Sequence, residues 1–189
     1  LIFHAFSIIE GIHLIKNRSF QPDLEYIFKH ALTQEVVYNG LLKKERRVIH
    51  ERIGLVMEQL FQDRLPEFYE TLSYHFKQGQ SALKAVTYLM KAGEKSLRRY
   101  AVEEAHQYYQ EAYDLILNKT DKTREDERLL IDVVLEWSMV FYYRADCKSW
   151  EKLFSDHRVL AETANDNERL GMFYAWLGIA INLAGQQKD

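Results

Sequence analysis

The sequence predicts a mainly α-helical protein, an array of helix pairs preceded by a short β-hairpin. Three observations carry this. Only two prolines and eight glycines interrupt 189 residues rich in Glu, Lys, Leu and Ala, a composition that favours helix. Apolar residues recur at three- and four-residue intervals from Leu32 to Ala184, the period of a helix with one buried face. Small residues also stand at fixed offsets, Gly93, Ala105 and Ala112 with Tyr109 between the last two, where paired helices need a backbone without bulk.

In chain order, residues 1–11 are mostly apolar and read as the tail of a helix. The runs 12–16 and 24–29 are β-branched and aromatic, and the Asn, Ser, Pro and Asp between them are turn residues, which gives the hairpin. After His30 the period changes. Leu32, Val36, Val37 and Leu41 predict a helix to about Leu42, and Ile49, Ile53, Val56 and Leu60 predict the buried stripe of a second. Pro66 marks the entry to the next element. Tyr69, Leu72 and Phe76 share one face, and the chain breaks at Gly79. A helix carrying Ala82, Ala85, Val86, Leu89 and Met90 follows, then a separate one from before Gly93 toward Arg99. Further helices are expected over 102–117, 125–144, 150–164 and 168–184, with Thr123 and Asp126 placed to cap the second of these.

The small-residue spacing is that of a tetratricopeptide (TPR) repeat: Gly93 in a first helix, then Ala105, Tyr109 and Ala112 in a second. Leu72, Gly79, Ala85, Leu89 and Ala92 repeat it loosely. Leu177 and Gly178, with Gly185, look like the first helix of a further unit. The unit between Trp137 and Ala161 is degenerate, with Tyr142 where a small residue is preferred.

Composition bounds the function. Apolar residues at 47% and charged residues at 28% fit a folded chain rather than a disordered one. A net charge of −3 exerts no general pull on nucleic acid or anionic lipid, so neither nucleic acid nor membrane is expected as a partner. Cys147 is alone, which excludes an intrachain disulfide and suits a reducing, cytoplasmic setting. The first fifteen residues are broken by His and Glu and do not make a membrane helix. The start at Leu1, without Met, suggests a fragment of a longer protein.

Candidate chemistry is sparse. No G-x-x-x-x-G-K-[ST] phosphate loop is present. His4, His13, His50, His75, His106 and His157 have no partners at metal-ligand spacing, so no metal is expected; His50 and His75 read as packed histidines. Neither Cys147 nor the pairs Glu103–Glu104 and Asp126–Glu127 form a catalytic constellation, and the pairs read as solubilising. Lys43, Lys44, Arg46, Arg47 and Arg52, diluted by Glu45 and Glu51, read as a solvated helix face with i,i+4 ion pairs rather than a phosphate-binding patch. Tyr88, Tyr100, Tyr108, Tyr109, Tyr113, Tyr142 and Tyr143 offer aromatic anchors for a peptide along helical repeats.

The strings EYIFKHALTQEVVYNGLL, RRVIHERIGLVMEQL, FYETLSYHFKQG, KAVTYLMKAGEKS and YAVEEAHQYYQEA together resemble bacterial STAND-type proteins (signal transduction ATPases with numerous domains), often fused to a class III adenylyl or guanylyl cyclase. The resemblance is dense from Leu24 to Leu117 and thin beyond. It implies a winged-helix remnant with connecting helices over 1–62, and a TPR-like α-α superhelix over 63–189. It also implies a non-catalytic regulatory and protein-interaction module without cofactor, whose partners are the parent's NTPase core and a protein or peptide on the repeats. His30 lies where family members place a histidine that senses the β-phosphate of ADP. The family's Met-His-Asp is departed from, since Lys29 precedes His30 and Ala31 follows it. The alternative is the same region of an ATP-dependent transcription regulator with its DNA-binding domain elsewhere in the chain.

Overall fold

The computed structural model describes residues 15–19, 25–28 and 30–186. The expected helix tail at 1–11, residues 20–23 of the expected turn, and residues 12–14, 24 and 29 of the expected strands lie outside them. The chain forms two compact units that divide between Val48 and Ile49, whereas the sequence reading places the change of architecture at 62.

In the first unit, strand β1 (Ile15–Ser19) pairs antiparallel with β2 (Glu25–Phe28), Ile15 opposite Phe28 and Asn17 opposite Tyr26. Asn17 and Ser19, expected in the turn, belong to the strand; the register shifts between them, so Arg18 is accommodated as a bulge. Helix α1 (Ala31–Gly40) meets β2. Its expected core stripe is turned outward: Leu32 and Val36 are each more than two-thirds exposed, and Val37 is half exposed. The ten-residue helix makes its contacts at the strand and leaves this side uncovered.

Helix α2 (Lys43–Leu60) crosses the division. Within the second unit it corrects the sequence reading by one residue. Ile49, Ile53, Val56 and Leu60 are exposed, and the buried positions are His50 and Gly54, with Met57 half-buried. One residue is 100° of helix. The packing demand, and not apolar content, sets the face: a Cβ on Gly54 would lie 2.8 Å from the Phe76 ring, so only glycine lets the next helix approach.

A six-residue 3₁₀ segment (Gln62–Glu67) leads to α3 (Tyr69–Gln78), α4 (Ala82–Arg98), α5 (Val102–Leu117), α6 (Arg124–Arg144), α7 (Cys147–Thr163) and α8 (Asn167–Gln186). Consecutive helices from α3 onward pack on one another, and α4 also meets α6 as α6 meets α8. Alternate helices therefore stand side by side in one layer, with α5 and α7 behind them. The expected break before Gly93 is absent, because α4 is continuous. An interior glycine costs a helix about 1 kcal/mol, but no turn residue adjoins this one, and its missing Cβ admits the Tyr109 ring at 2.8 Å.

The same device recurs. Gly54 lies against Phe76 and Gly93 against Tyr109. Leu72, Phe76 and Gly79 keep the four- and three-residue spacing of Ala105, Tyr109 and Ala112. The 3₁₀ segment lengthens the first connection by its six residues, which hides this correspondence in the sequence. Ser138 and Phe154, both fully buried, stand sixteen residues apart as Gly93 and Tyr109 do. Pairs α2–α3 and α4–α5 thus share one packing rule, and α6–α7 keeps its spacing with Ser138 in the small position. Phe76 and Tyr88 centre a smaller core, and Tyr109, Trp137, Trp150, Phe154 and Phe173 fill a larger one.

Polar pins fix the junctions. Glu51 reaches across from α2 to accept from the backbone N–H of Gln80 at 2.8 Å and of Ser81 at 3.1 Å, and from the Ser81 hydroxyl. A carboxylate there satisfies orphan donors at the start of α4. Glu51 therefore belongs to this cap and not to the basic cluster of its own helix. Thr123 and Asp126 form the expected capping box of α6. Asp126 is not a solubilising surface acid: it is fully buried, and the Lys119 ammonium donates to both its oxygens at 2.7 and 2.6 Å. Burial pushes its carboxyl up, but Lys119 and the Thr123 donors prevail and hold it below the usual range.

Candidate binding groove

Helices α4, α6 and α8 bring their facing sides together over Tyr109 of α5, enclosing a groove of about 530 Å³. Its floor and one wall are apolar: Leu97 from α4, Leu135 and Met139 from α6, Met172 and Trp176 from α8. Three carboxylates, Glu94, Asp132 and Glu136, open into the same space.

The three acids are unequal. Asp132 is neutralised by a two-pronged ion pair with Arg169, at 2.6 and 2.9 Å, and Arg169 also donates to Asp166 at 2.6 Å. These side-chain bonds hold the guanidinium above its ordinary range. Glu94 pairs along its own helix with Arg98 at 2.5 Å, on an exposed edge, where solvent screens such a pair strongly. Among the described residues Glu136 has no cation partner. It accepts a long hydrogen bond, 3.5 Å, from the buried Tyr109 hydroxyl. Glu136 is exposed to solvent along part of its side chain, and its carboxylate also borders the groove. Burial, then the neighbouring charges of Glu94 and Asp132, push its carboxyl up to about 7 against the opposing Tyr109 bond. The Tyr109 hydroxyl is pushed upward too, by burial first and then by the charges of Glu136 and Glu94.

Of the repeat positions read from sequence, Gly93, Ala105, Tyr109 and Ala112 come together, the last three buried and Gly93 beneath the tyrosine ring. Leu177 is buried. Gly178 is not a packing position among the described residues: it is exposed, and a Cβ there would meet nothing within 4 Å. His30 is exposed at the N-cap of α1, where its side chain makes no capping bond. Of the proposed tyrosine anchors only Tyr109 lines the groove. Tyr88 is buried and donates to Glu58 at 2.7 Å; Tyr100, Tyr142 and Tyr143 are exposed elsewhere.

Sequence reasoning did not find Glu136, Met139, Met172 or Trp176. A signal existed: Asp132 and Glu136 are like charges four apart in the mostly apolar stretch 129–143 of α6, an arrangement that destabilises a helix unless something compensates. It also did not pair His50 with His75, whose Nδ1 atoms lie 2.9 Å apart. In the basic cluster, Arg46 donates to the Leu41 carbonyl at 3.1 Å and lies over the Tyr38 ring. Among the described residues no three His, Cys, Asp or Glu side chains converge as a metal site, and no helix is long and apolar enough to cross a membrane. A larger concavity, about 740 Å³, is lined chiefly by α5, including Gln107, Gln110 and Asp114. It lacks converging groups from several helices.

No family model matches the chain, and no solved structure matches it. It is similar to an uncharacterized protein of Rhizobium meliloti (strain 1021), 34% identical over 92 residues. That match covers 48% of this chain and 9% of the relative, so the chain spans a small part of that protein's length.

Proposed function

We propose that this chain is a non-catalytic interaction and regulatory module of a multidomain, cytoplasmic signalling ATPase of the STAND type, cyclase-linked in some members. In this reading the first unit and α2 are the end of a winged-helix domain and its connection, and the helix pairs are TPR-like repeats. The observation that carries it is the recurrent close approach of a glycine in one helix to an aromatic ring in the next, Gly54 to Phe76 and Gly93 to Tyr109. That is the packing the TPR spacing exists to allow. The groove, with apolar walls and a few placed carboxylates, suits recognition of a partner.

The mechanism follows as a linkage. A partner that binds the repeats more tightly in one state of the parent shifts the parent toward that state, by no more than its difference in affinity for the two. His30, exposed at a helix N-terminus, is the residue proposed to meet the β-phosphate of ADP held by the parent's NTPase core.

The reading is tested on the gene. Sequence encoded upstream of Leu1 is expected to contain a phosphate-binding loop followed by a winged-helix beginning. An upstream region without such a loop removes the ATPase assignment. In a parent protein that has one, His30→Ala is expected to speed ADP release, and unchanged ADP retention removes the sensor role.

A further inference from the structure

The groove differs from a generic hydrophobic slot in its charge. Five apolar side chains line it, yet the polar groups turned into it are acids. The cations nearby are already engaged: Arg169 by Asp132 and Asp166, Arg98 by Glu94. Glu136 is left with a neutral hydroxyl donor alone. Its position between α4 and α8, beside Met139 and Trp176, gives a cation there both a carboxylate and an apolar surface for its methylene stem. Methionines at Met139 and Met172 allow that surface to adapt to the shape of what enters.

We propose that the groove between α4, α6 and α8 docks an extended segment of a partner protein, through a lysine or arginine on Glu136 and Glu94 and a neighbouring aliphatic side chain on Met139, Met172 and Trp176. This rests on the interaction-module reading and gives the partner its chemistry. Charge complementarity selects the occupant. A phosphate-bearing or acidic partner would bring like charge to Glu136, the one of the three carboxylates without a cation partner among the described residues, and a purely apolar one would bury Glu136 without compensation. The cavity volume lies within the range of roughly 300–1,000 Å³ typical of sites that enclose a small ligand.

A pH dependence follows. The groups facing Glu136 are Glu94 from α4, Tyr109 from α5, Asp132 on its own helix and, held by Asp132, Arg169 from α8. With its carboxyl raised to about 7, Glu136 is partly protonated in the free groove at neutral pH. An incoming cation favours the ionised form, so affinity rises as pH increases through about 7.

The test uses the 189-residue chain and arrayed octapeptides carrying a central lysine, alanine or glutamate, flanked by leucines or by alanines. The lysine–leucine set is expected to bind best, more tightly at pH 8 than at pH 6. Glu136→Gln, isosteric and neutral, is expected to weaken it at least tenfold, and Met172→Ser to weaken the leucine-flanked set selectively, with circular dichroism unchanged in both. Equal binding of the glutamate set, an unchanged affinity in Glu136→Gln, or competition by spermidine as effective as by peptide overturns the proposal. So does an absence of any peptide binding up to about 1 mM, a weak limit near −4 kcal/mol. Binding of the glutamate set at another surface would leave the interaction-module reading standing and remove this groove from it.

Discussion

Gly93→Ala tests the packing rule directly. In an exposed helix interior the change stabilises by about 1 kcal/mol through backbone entropy and helix propensity. At position 93 the new Cβ would lie 2.8, 2.9 and 3.1 Å from three carbons of the Tyr109 ring. That ring is 1% exposed, and its hydroxyl is tied to Glu136, so it has little room to withdraw. Overpacking of this kind costs about 1–3 kcal/mol, which exceeds the propensity gain and leaves a net loss of about 1 kcal/mol. Gly178→Ala supplies the control, because its Cβ would meet nothing within 4 Å; it is expected to gain about 1 kcal/mol. Urea unfolding should separate the two variants by about 2 kcal/mol, and thermal unfolding by several degrees at roughly 2–4 °C per kcal/mol for a chain of this size. In a Tyr109→Leu background Gly93→Ala should lose its penalty. Equal stabilisation by both alanines would refute the claim that Gly93 is there for the aromatic ring.

Other consequences are as specific. Asp126→Ala removes the carboxylate half of the α6 capping box, which accepts from the Thr123 N–H and hydroxyl, together with the partner of Lys119; the expected loss is about 2–3 kcal/mol at pH 7, readable by urea titration. Because the folded-state carboxyl is held low, this contribution is present above pH 4 and lost as pH falls through the depressed value. His50, His75 and His106 are each lowered, by burial first, with the His50 charge adding at His75 and Arg144 at His106. They hold protons less readily in the folded protein than in the unfolded chain, whose histidines titrate near pH 6.5, so stability falls as pH drops through that region. His75→Gln should flatten the wild-type slope between pH 7 and 5, and an unchanged slope would contradict the assignment. Glu136 runs the other way. Its carboxyl is raised to about 7, so it favours the unfolded state increasingly as pH rises from about 4.5 to 7, and Glu136→Gln should gain stability above pH 7 with no gain near pH 4. Ala145 closes α6 in the left-handed region at φ 53°, so Ala145→Gly should stabilise by about 1 kcal/mol, measured by thermal melt.

The helices from 69 onward were legible because their apolar stripes sit where burial demands them: Leu72 and Phe76, Val86 and Leu89, Tyr109 and Ile116 are all fully buried. Thr123 and Asp126 were legible as a cap because that geometry is local. α2 misled because its buried face is built from His50 and Gly54, residues with no apolar weight, whose role is set by a ring 22 positions away. Its true apolar stripe is exposed. The α2–α3 pair was concealed by the 3₁₀ segment, which shifts the small-to-aromatic offset without changing the contact. The groove was illegible for another reason. Glu94, Glu136 and Trp176 lie on three helices and converge only through packing of alternate helices, which no short spacing encodes.

Hydrogen–deuterium exchange of the 189-residue chain with and without the best-bound lysine–leucine octapeptide measures the central claim most directly. The account predicts added protection in the groove-lining stretches of α6 and α8, Asp132 to Met139 and Met172 to Trp176, and its loss in Glu136→Gln. Protection confined to the outer face of α5 between His106 and Lys119, or equal in wild type and variant, would contradict it.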